Sequence, residues 1–291
     1  MIVKAAAKIN LLLDILGRTD EGYHTVFMVM QSVGIQDTLT VDLGGKKGTI
    51  TVTCSDEKIP SGADNICWKA ADAFFSALRM PNPGVSVHIE KHIPSAAGLA
   101  GGSADAAGVL VALNALTGAG LSERELCRIG LTVGADVPFC IMGGTMLAQD
   151  IGGVLAPLPD VPNDWYVLVK PDQDVSTGNA YAAFDSTNNI RHMACNDMLH
   201  AIVKEDFEKM YACVGNVFEQ LVEVPGRVEI KAIMRGYGSA AYCMSGSGPT
   251  IFGIFQDGED AASCADALTK KGYKNVFLCR PLKRGIEIVE K

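Results

Sequence analysis

Residues 3–15 alternate with period two. Val3, Ala5, Ala7, Ile9, Leu11, Leu13 and Ile15 fall on one side, and Lys4, Lys8, Asn10 and Asp14 fall on the other with Ala6 and Leu12. The pattern predicts a β-strand with one buried face. After the turn GRTDEGYH the alternation resumes near 25–35 and again at 37–43, completing an antiparallel meander, and 48–54 reads as another strand. The period then lengthens. Residues 64–79, DNICWKAADAFFSALR, read as a helix with Asp64 as N-cap and PNPG as its stop. A strand at 85–92, a glycine-rich loop and a helix to about residue 117 follow. Ser122 and Glu125 form a capping box for the next helix, which Gly134 to Pro138 breaks, and Gly143-Gly144 starts a further strand.

The segment 152–164, GGVLAPLPDVPND, is rich in proline and glycine and marks a candidate domain boundary. Beyond it WYVLVKP reads as a strand, helical patterns fill 196–223 and 226–236, and AAYCMSGSGPTIFGIF reads strand, glycine turn, strand. A helix at 258–271 and a strand at 274–280 close the unit, so strands separated by helices suggest an α+β sandwich. A chain of 291 residues is expected to form one large or two medium domains.

Composition narrows the function. A formal net charge of −8 argues against a general nucleic-acid binder, while leaving room for a local basic pocket for a small anion. Nine cysteines without a C-x-x-C pair read as scattered reduced thiols rather than disulfides or a zinc site. The first residues, MIVKAAAKINLLLDIL, are interrupted by Lys8, Asn10 and Asp14 and are followed by no small-residue cleavage site, so they are not read as a signal peptide. No uninterrupted apolar run reaches 18 residues, and a cytoplasmic protein without a membrane span is expected. H-I-E-K-H at 88–92 lies on an alternating strand and lacks the zincin order, so it is no metal site.

Four stretches are candidates for chemistry. IPSAAGLAGGSADAAG, 93–108, places small residues at a helix start, which suits either tight packing or the wrapping of phosphate oxygens by backbone N–H groups. It is not a P-loop or a dinucleotide fingerprint, and the protein-kinase H-R-D and D-F-G signatures are missing. Lys8 and Asn10 share one strand face about 7 Å apart, on a solvated face or in a site. Asp136 in LTVGADVPF sits at a helix end where the dipole does not welcome it, either as a turn residue or for a functional reason. MSGSGPTIF, 244–252, is by itself a strand-to-strand turn.

Together these stretches resemble the GHMP kinases, the family of galactokinase, homoserine kinase and mevalonate kinase. Pro94, Gly98, Leu99, Gly101, Gly102, Ser103 and Ala106 follow its phosphate-binding pattern, and the other three stretches fall in family order from residue 4 to 252. AAKINLLLDI followed by Gly22-Tyr23-His24-Thr25 is similar to the branch whose acceptor is a methylerythritol alcohol carried on cytidine diphosphate. The resemblance implies a two-domain α+β fold. An N-terminal ATP-binding domain of the ribosomal-protein-S5-like type would span 1–155 and a ferredoxin-like C-terminal domain 156–291, with the active site in the cleft between them. It implies ATP with Mg²⁺, a small-molecule acceptor, and a monomer or weak homodimer.

By the same resemblance Lys8 and Asp136 would be catalytic, and Asp136 would also face the acceptor. ATP would be held by Pro94, Ser95, Ala96, Ala97, Gly98, Leu99, Ala100, Gly101, Gly102, Ser103 and Ala104, with Asn65 and Lys91 at the adenine. Ser103 would be the Mg²⁺ contact. Asn10, Tyr23, His24, Thr177 and Tyr181 would bind the acceptor, Tyr23 and Tyr181 sandwiching the cytosine and His24 bonding its edge. From the residues alone Tyr181 is equally a core aromatic and Lys91 a solvated strand residue. The chain departs from the family pattern by alanine at 96, 97, 100 and 104 and by Asp105. Homoserine or mevalonate kinase activity, or a non-catalytic nucleotide-binding role on the same fold, are the competing readings.

Overall fold

A computed structural model describes residues 1–290. The first half contains β1 (Ile2–Arg18), β2 (His24–Leu43), β3 (Ile50–Cys54), α1 (Ile66–Leu78), β4 (Val85–Glu90), α2 (Gly101–Thr117), α3 (Glu123–Val133), α4 (Val137–Met142), β5 (Thr145–Asp150) and β6 (Val154–Pro157). The second half contains β7 (Trp165–Lys170), α5 (Thr177–Asp185), α6 (Cys195–Val203), α7 (Phe207–Cys213), β8 (Gly215–Asn216), a 3₁₀ turn (Val217–Gln220) and α8 (Arg227–Gly236). It ends with β9 (Ala241–Met244), β10 (Ile251–Phe255), α9 (Gly258–Lys270), β11 (Asn275–Cys279), β12 (Pro281–Leu282) and β13 (Ile286–Glu290).

The large sheet runs β13-β1-β2-β4-β3, with β5 and β6 added beside β2. The two runs at 25–35 and 37–43 are one strand of 20 residues rather than two. Its pairing with β1 shifts register between Ala6 and Ala7, opposite Gly34-Ile35. A bulge bends a strand without ending it. Here the bend lets β2 leave β5 at Gln31 and take up β4 at Thr38 while β1 stays paired throughout. β3 pairs parallel to β4, so it is not a further meander strand.

β1 was expected to bury one face, yet every residue from Ala5 to Ile15 is buried. Helix α2 covers the face of Val3, where Gly108 leaves room for Val3 and Leu39 against the helix backbone. The other face is covered by the chain's second half: β8 pairs with Leu12 and Leu13, and the segment His192–Cys195 lies on Asp14. A second bulge between Asn10 and Leu12 buries both Leu11 and Leu12.

The small sheet, β11-β7-β10-β9, is antiparallel and covered on both sides. Val167, Val169, Ile251 and Phe255 pack with Ile230 and Met234 of α8 and Ala261, Cys264 and Leu268 of α9. Tyr166, Leu168, Phe252 and Ile254 face the other way, into a core with α6, α7 and the large sheet. That explains why WYVLVK is apolar without alternation.

Several boundaries differ from the sequence reading. Asn65, not Asp64, caps α1, its side chain accepting from the Cys67 N–H at 2.7 Å. The helical pattern over 196–223 breaks into two short helices, a two-residue strand and a 3₁₀ turn, with Asp206 and Asn216 capping the pieces. α5 and the return of 281–290 to the large sheet carry too few residues, or too irregular a pattern, to have been seen. The capping box of Ser122 and Glu125 is formed.

Candidate active site

The glycine-rich loop and the SGSG turn meet across a cleft of about 670 Å³, within the range of small-molecule sites. Ala96, Gly98 and Ala100 hold positive φ, at 49°, 73° and 56°. Ala100 is the residue before α2 and makes no capping bond, so the first N–H groups of a 17-residue helix face the cleft with no side-chain acceptor. A helix start left open in this way suits an anion. Two contacts fix the loop's shape. The Leu99 carbonyl accepts from the Lys8 N–H at 3.1 Å, and Ser245 Oγ donates to the Gly98 carbonyl at 2.9 Å. A Cβ on Gly98 would collide with the Ser245 carbonyl. The SGSG turn is held from behind by Asn216, whose Nδ2 donates to the carbonyls of Met244 and Gly246, both at 2.7 Å.

Lys8 projects from β1 beneath this junction. Its Nζ donates to Asn10 Oδ1 at 2.7 Å, and Asn10 Nδ2 reaches Met28 Sδ at 3.3 Å. Lys8 is 5% exposed. Burial lowers its pKa, opposed by the nearby Asp136 carboxylate and then by Cys140. Asp136 is not at a helix C-terminus, as the sequence suggested. It sits where α3 has ended at Gly134 and α4 begins, in the N-cap position, and its side chain makes no capping bond. The carboxylate is therefore free to face the cleft, and it also contributes to the rise of the Tyr181 phenol, pushed up to about 12 chiefly by burial.

Lys91 is neither a solvated strand residue nor a free cation. Its Nζ lies 2.5 Å from Asp37 Oδ2 and 2.7 Å from Asp105 Oδ2. Asp37 is fully buried and also accepts the backbone N–H groups of His92 and Ile93 with Oδ1. Burial alone would lower the Lys91 pKa, but the Asp105 and Asp37 carboxylates outweigh it and raise it. Burial pushes Asp105 well above the usual carboxylate range despite Lys91, with Asp37 adding to the rise. The acid at position 105 is thus engaged with Lys91 in an ion cluster under the loop. Asn65, expected at the adenine, spends its amide on the α1 cap and on the Pro60 carbonyl at 2.6 Å, while still lining the cleft.

At the other end of the cleft Thr177 Oγ1 and Ser247 Oγ share a hydrogen bond of 3.0 Å. Tyr181 lines the wall and meets Phe218 edge to face. Its stacking partner is His24, with ring centroids 4.5 Å apart and planes at 29°. Tyr23, expected to face Tyr181 across the cytosine, is not the ring that stacks on it. Tyr23 precedes β2 at the hairpin tip and is 63% exposed.

The cleft thus gathers Lys8, Asn10, Asn65, Lys91, Pro94 to Gly98, Ala100 to Ser103, Asp136, Thr177 and Tyr181. Leu99 and Ala104 are buried behind it, and Tyr23 and His24 stand outside its wall. The sequence reading missed Asp37, whose partner Lys91 is 54 residues away. It also missed the apolar lining of Leu13, Val26, Met28 and Phe218, which alternation reads simply as core.

No group of three or more His, Cys, Asp or Glu side chains suited to a metal exists among the described residues. Mg²⁺ in phosphoryl-transfer sites keeps several waters and substrate phosphates as ligands and needs few from the protein, in some enzymes a Ser or Thr hydroxyl. The Ser103 hydroxyl in the first turn of α2 fits that sparse demand.

Comparison with known proteins bears on the whole chain. Residues 65–144 match the family description "GHMP kinases N terminal domain" and residues 198–274 match "GHMP kinases C terminal", the two halves that the motifs implied. The 4-diphosphocytidyl-2-C-methyl-D-erythritol kinase of Alkaliphilus oremlandii is 40% identical over 98% of this chain and 98% of its own length. The enzyme of the same name from Geobacter metallireducens is 41% identical over 97% of this chain and 99% of its own. Among solved structures, a 4-(cytidine 5'-diphospho)-2C-methyl-D-erythritol kinase superposes with a TM-score of 0.79 at 30% identity, covering 97% of this chain and 99% of that one. Homoserine kinase from Cytophaga hutchinsonii gives 0.81 at 20% identity over 99% and 97% of the two chains, a likeness of fold.

Proposed function

Since the chain belongs to the GHMP kinases, and within them to the 4-diphosphocytidyl-2-C-methyl-D-erythritol kinases, we infer that its cleft transfers the γ-phosphoryl group of ATP to the 2-hydroxyl of 4-diphosphocytidyl-2-C-methyl-D-erythritol. The product feeds isoprenoid precursor synthesis by the non-mevalonate route. The observation that carries the residue assignments is the meeting, in one cleft, of an uncapped helix start, a buried ammonium and a free carboxylate.

Phosphoryl transfer asks the protein mainly for positioning and for charge stabilisation. The backbone donors of 96–103 would hold the triphosphate, shaped by the positive φ of Ala96, Gly98 and Ala100. Bound Mg²⁺ would neutralise phosphate charge, held by Ser103 and the triphosphate oxygens. Asp136 would orient the acceptor hydroxyl and take its proton. Lys8, fixed by Asn10, would stabilise the charge that grows on that oxygen and on the phosphoryl group. Lys91 serves the adenine end indirectly, by neutralising Asp37 and Asp105 beneath the loop. At the acceptor end Thr177, Tyr181 and His24 would meet the cytidine part, with Tyr23 covering the base from the rim. The lobes are proposed as 1–155 and 156–291, the second lending β8, β12 and β13 to the first one's sheet. The chain is proposed to act as a monomer or weak homodimer. Nine free thiols suit a reducing cytoplasm, and no helix among the described residues is long and apolar enough to cross a membrane.

A coupled assay for ADP release tests the reading. Turnover is expected with the cytidyl acceptor and not with homoserine or mevalonate. Turnover of either of those without the cytidyl acceptor rejects it. Asp136→Ala should retain ATP binding while kcat falls by about 10²–10⁴. Full activity in that variant removes Asp136 from the mechanism.

A further inference from the structure

Asp185 is the last residue of α5. A carboxylate there opposes the helix dipole, so its presence calls for compensating partners. It has two, both from the β1–β2 hairpin of the other lobe. Arg18 Nη2 donates to Asp185 Oδ2 at 2.6 Å, and His24 Nε2 lies 2.8 Å from Asp185 Oδ1. Arg18 Nε also approaches His24 Nε2, at 3.3 Å. The shorter contact decides the proton's place. A carboxylate oxygen accepts and cannot donate, so a nitrogen 2.8 Å from it carries the hydrogen. The Arg18 Nε contact is longer, and the guanidinium's charge is met through Nη2 by the other carboxylate oxygen.

With Nε2 protonated, the neutral imidazole leaves Nδ1 as a bare acceptor. Nδ1 has no hydrogen bond among the described residues. The ring is 12% exposed and cannot turn freely, because Tyr181 stacks on its face and Phe184 meets it edge-on at 6.0 Å. The groups around the imidazole are thus Arg18, Asp185, Tyr181 and Phe184, of which the two charged ones bond each other.

We propose that Asp185, backed by Arg18, is a positioning residue that fixes His24 in the tautomer whose Nδ1 accepts from the exocyclic amine of cytosine, and so makes the site select a cytidyl over a uridyl acceptor. Cytosine offers N4–H₂ as donor where uracil offers O4, an acceptor. A lone pair facing a lone pair rejects uracil, and a site built for a substrate N–H discriminates strongly against an analogue that lacks it. The proposal rests on the cytidyl-acceptor reading and deepens it. Asp185 touches neither reacting atom. It also spans the lobes, so its ion cluster sets the distance between the hairpin and the helix that carries Tyr181.

The experiment combines spectroscopy with kinetics. The chain has five histidines, so ¹⁵N-imidazole spectra of the whole protein are simple, and a His24→Ala variant assigns the signal. The wild type is expected to show His24 protonated at Nε2 and bare at Nδ1. Asp185→Asn presents both a donor and an acceptor to Nε2 and should give mixed tautomers. Its KM for the cytidyl acceptor should rise about tenfold, and its preference for the cytidyl over the uridyl acceptor should fall at least tenfold. kcat and the KM for ATP should stay within about twofold. Asp185→Glu should recover the preference. A wild-type His24 protonated at Nδ1, or an Asp185→Asn enzyme with wild-type preference, overturns the proposal. A merely structural latch would move kcat, both KM values and stability together, without changing the preference, and that result overturns it as well. No turnover of the cytidyl acceptor by the wild type overturns the acceptor reading and this proposal with it.

Discussion

Lys8 is buried, and burial disfavours its charge. The proposed chemistry needs that charge. Its folded pKa lies below the ordinary value of 10.5, so the protonated form is present below that lowered value and lost as pH rises through it. kcat should therefore fall on an alkaline limb placed below 10.5, and a pH–rate profile at saturating substrates checks this. Lys8→Met should cost about 10²–10³ in kcat and remove the limb. Arginine should not restore it, because the planar guanidinium cannot occupy the point-charge position beside Gly246, whose Cβ would already stand 3.2 Å from Nζ. Lys8 and Asp136 were legible in the sequence because a charge inside an apolar pattern has to be explained. Asp37 was not, because it is unremarkable alone and only the fold brings it to Lys91. Tyr23 and His24 were found as a pair, but the fold separates them: Tyr23 lies exposed before β2, and His24 opens the strand against Tyr181.

At the scale of elements the loop before α2 stores strain at two alanines. Ala96 and Ala100 hold left-handed φ values that cost an L-residue roughly 1–2 kcal/mol. Glycine removes that cost and adds about 0.4–1 kcal/mol of unfolded-chain entropy. Ala100→Gly is therefore expected to stabilise by about 0.5–1 kcal/mol in denaturant unfolding. Gly98→Ala acts oppositely, since φ is 73° and its Cβ would collide with the Ser245 carbonyl. The loop would have to shift off the SGSG turn, and the KM for ATP should rise at least tenfold in steady-state kinetics. The alanines at 96 and 100 thus occupy conformations that glycine adopts freely. Loop, α2, the capping box and the central strands could be read from pattern. The unbroken β2 could not, because a bulge leaves the same local signature as a turn. The pieces between 195 and 220 merged into one helix for a related reason: their buried positions suit helix spacing while Asp206 and Asn216 end the real elements.

The whole molecule is tied together by its last residues. After β11 the chain returns to the large sheet as β12 and β13, passing so close to α4 that a Cβ on Gly285 would collide with the Cys140 carbonyl. Gly285→Ala should lower stability by about 1–3 kcal/mol, the range of overpacking, measured by denaturant unfolding. Because α4 begins at Asp136, the same variant should also lower kcat. By itself the sequence determined the alternation that makes β1 and β2, the small residues that open α2, and the family and its chemistry, because those depend on neighbours within a few residues and on motifs in fixed order. Only the tertiary structure decided that both faces of β1 are buried, that Lys91 is neutralised from two sides, that Asp136 is uncapped and free, and that Asp185 reaches His24 across 161 residues. The physical reason is the same in each case. Burial and charge are set by what lies opposite in space, and a linear pattern records which side a residue faces but not what meets it there.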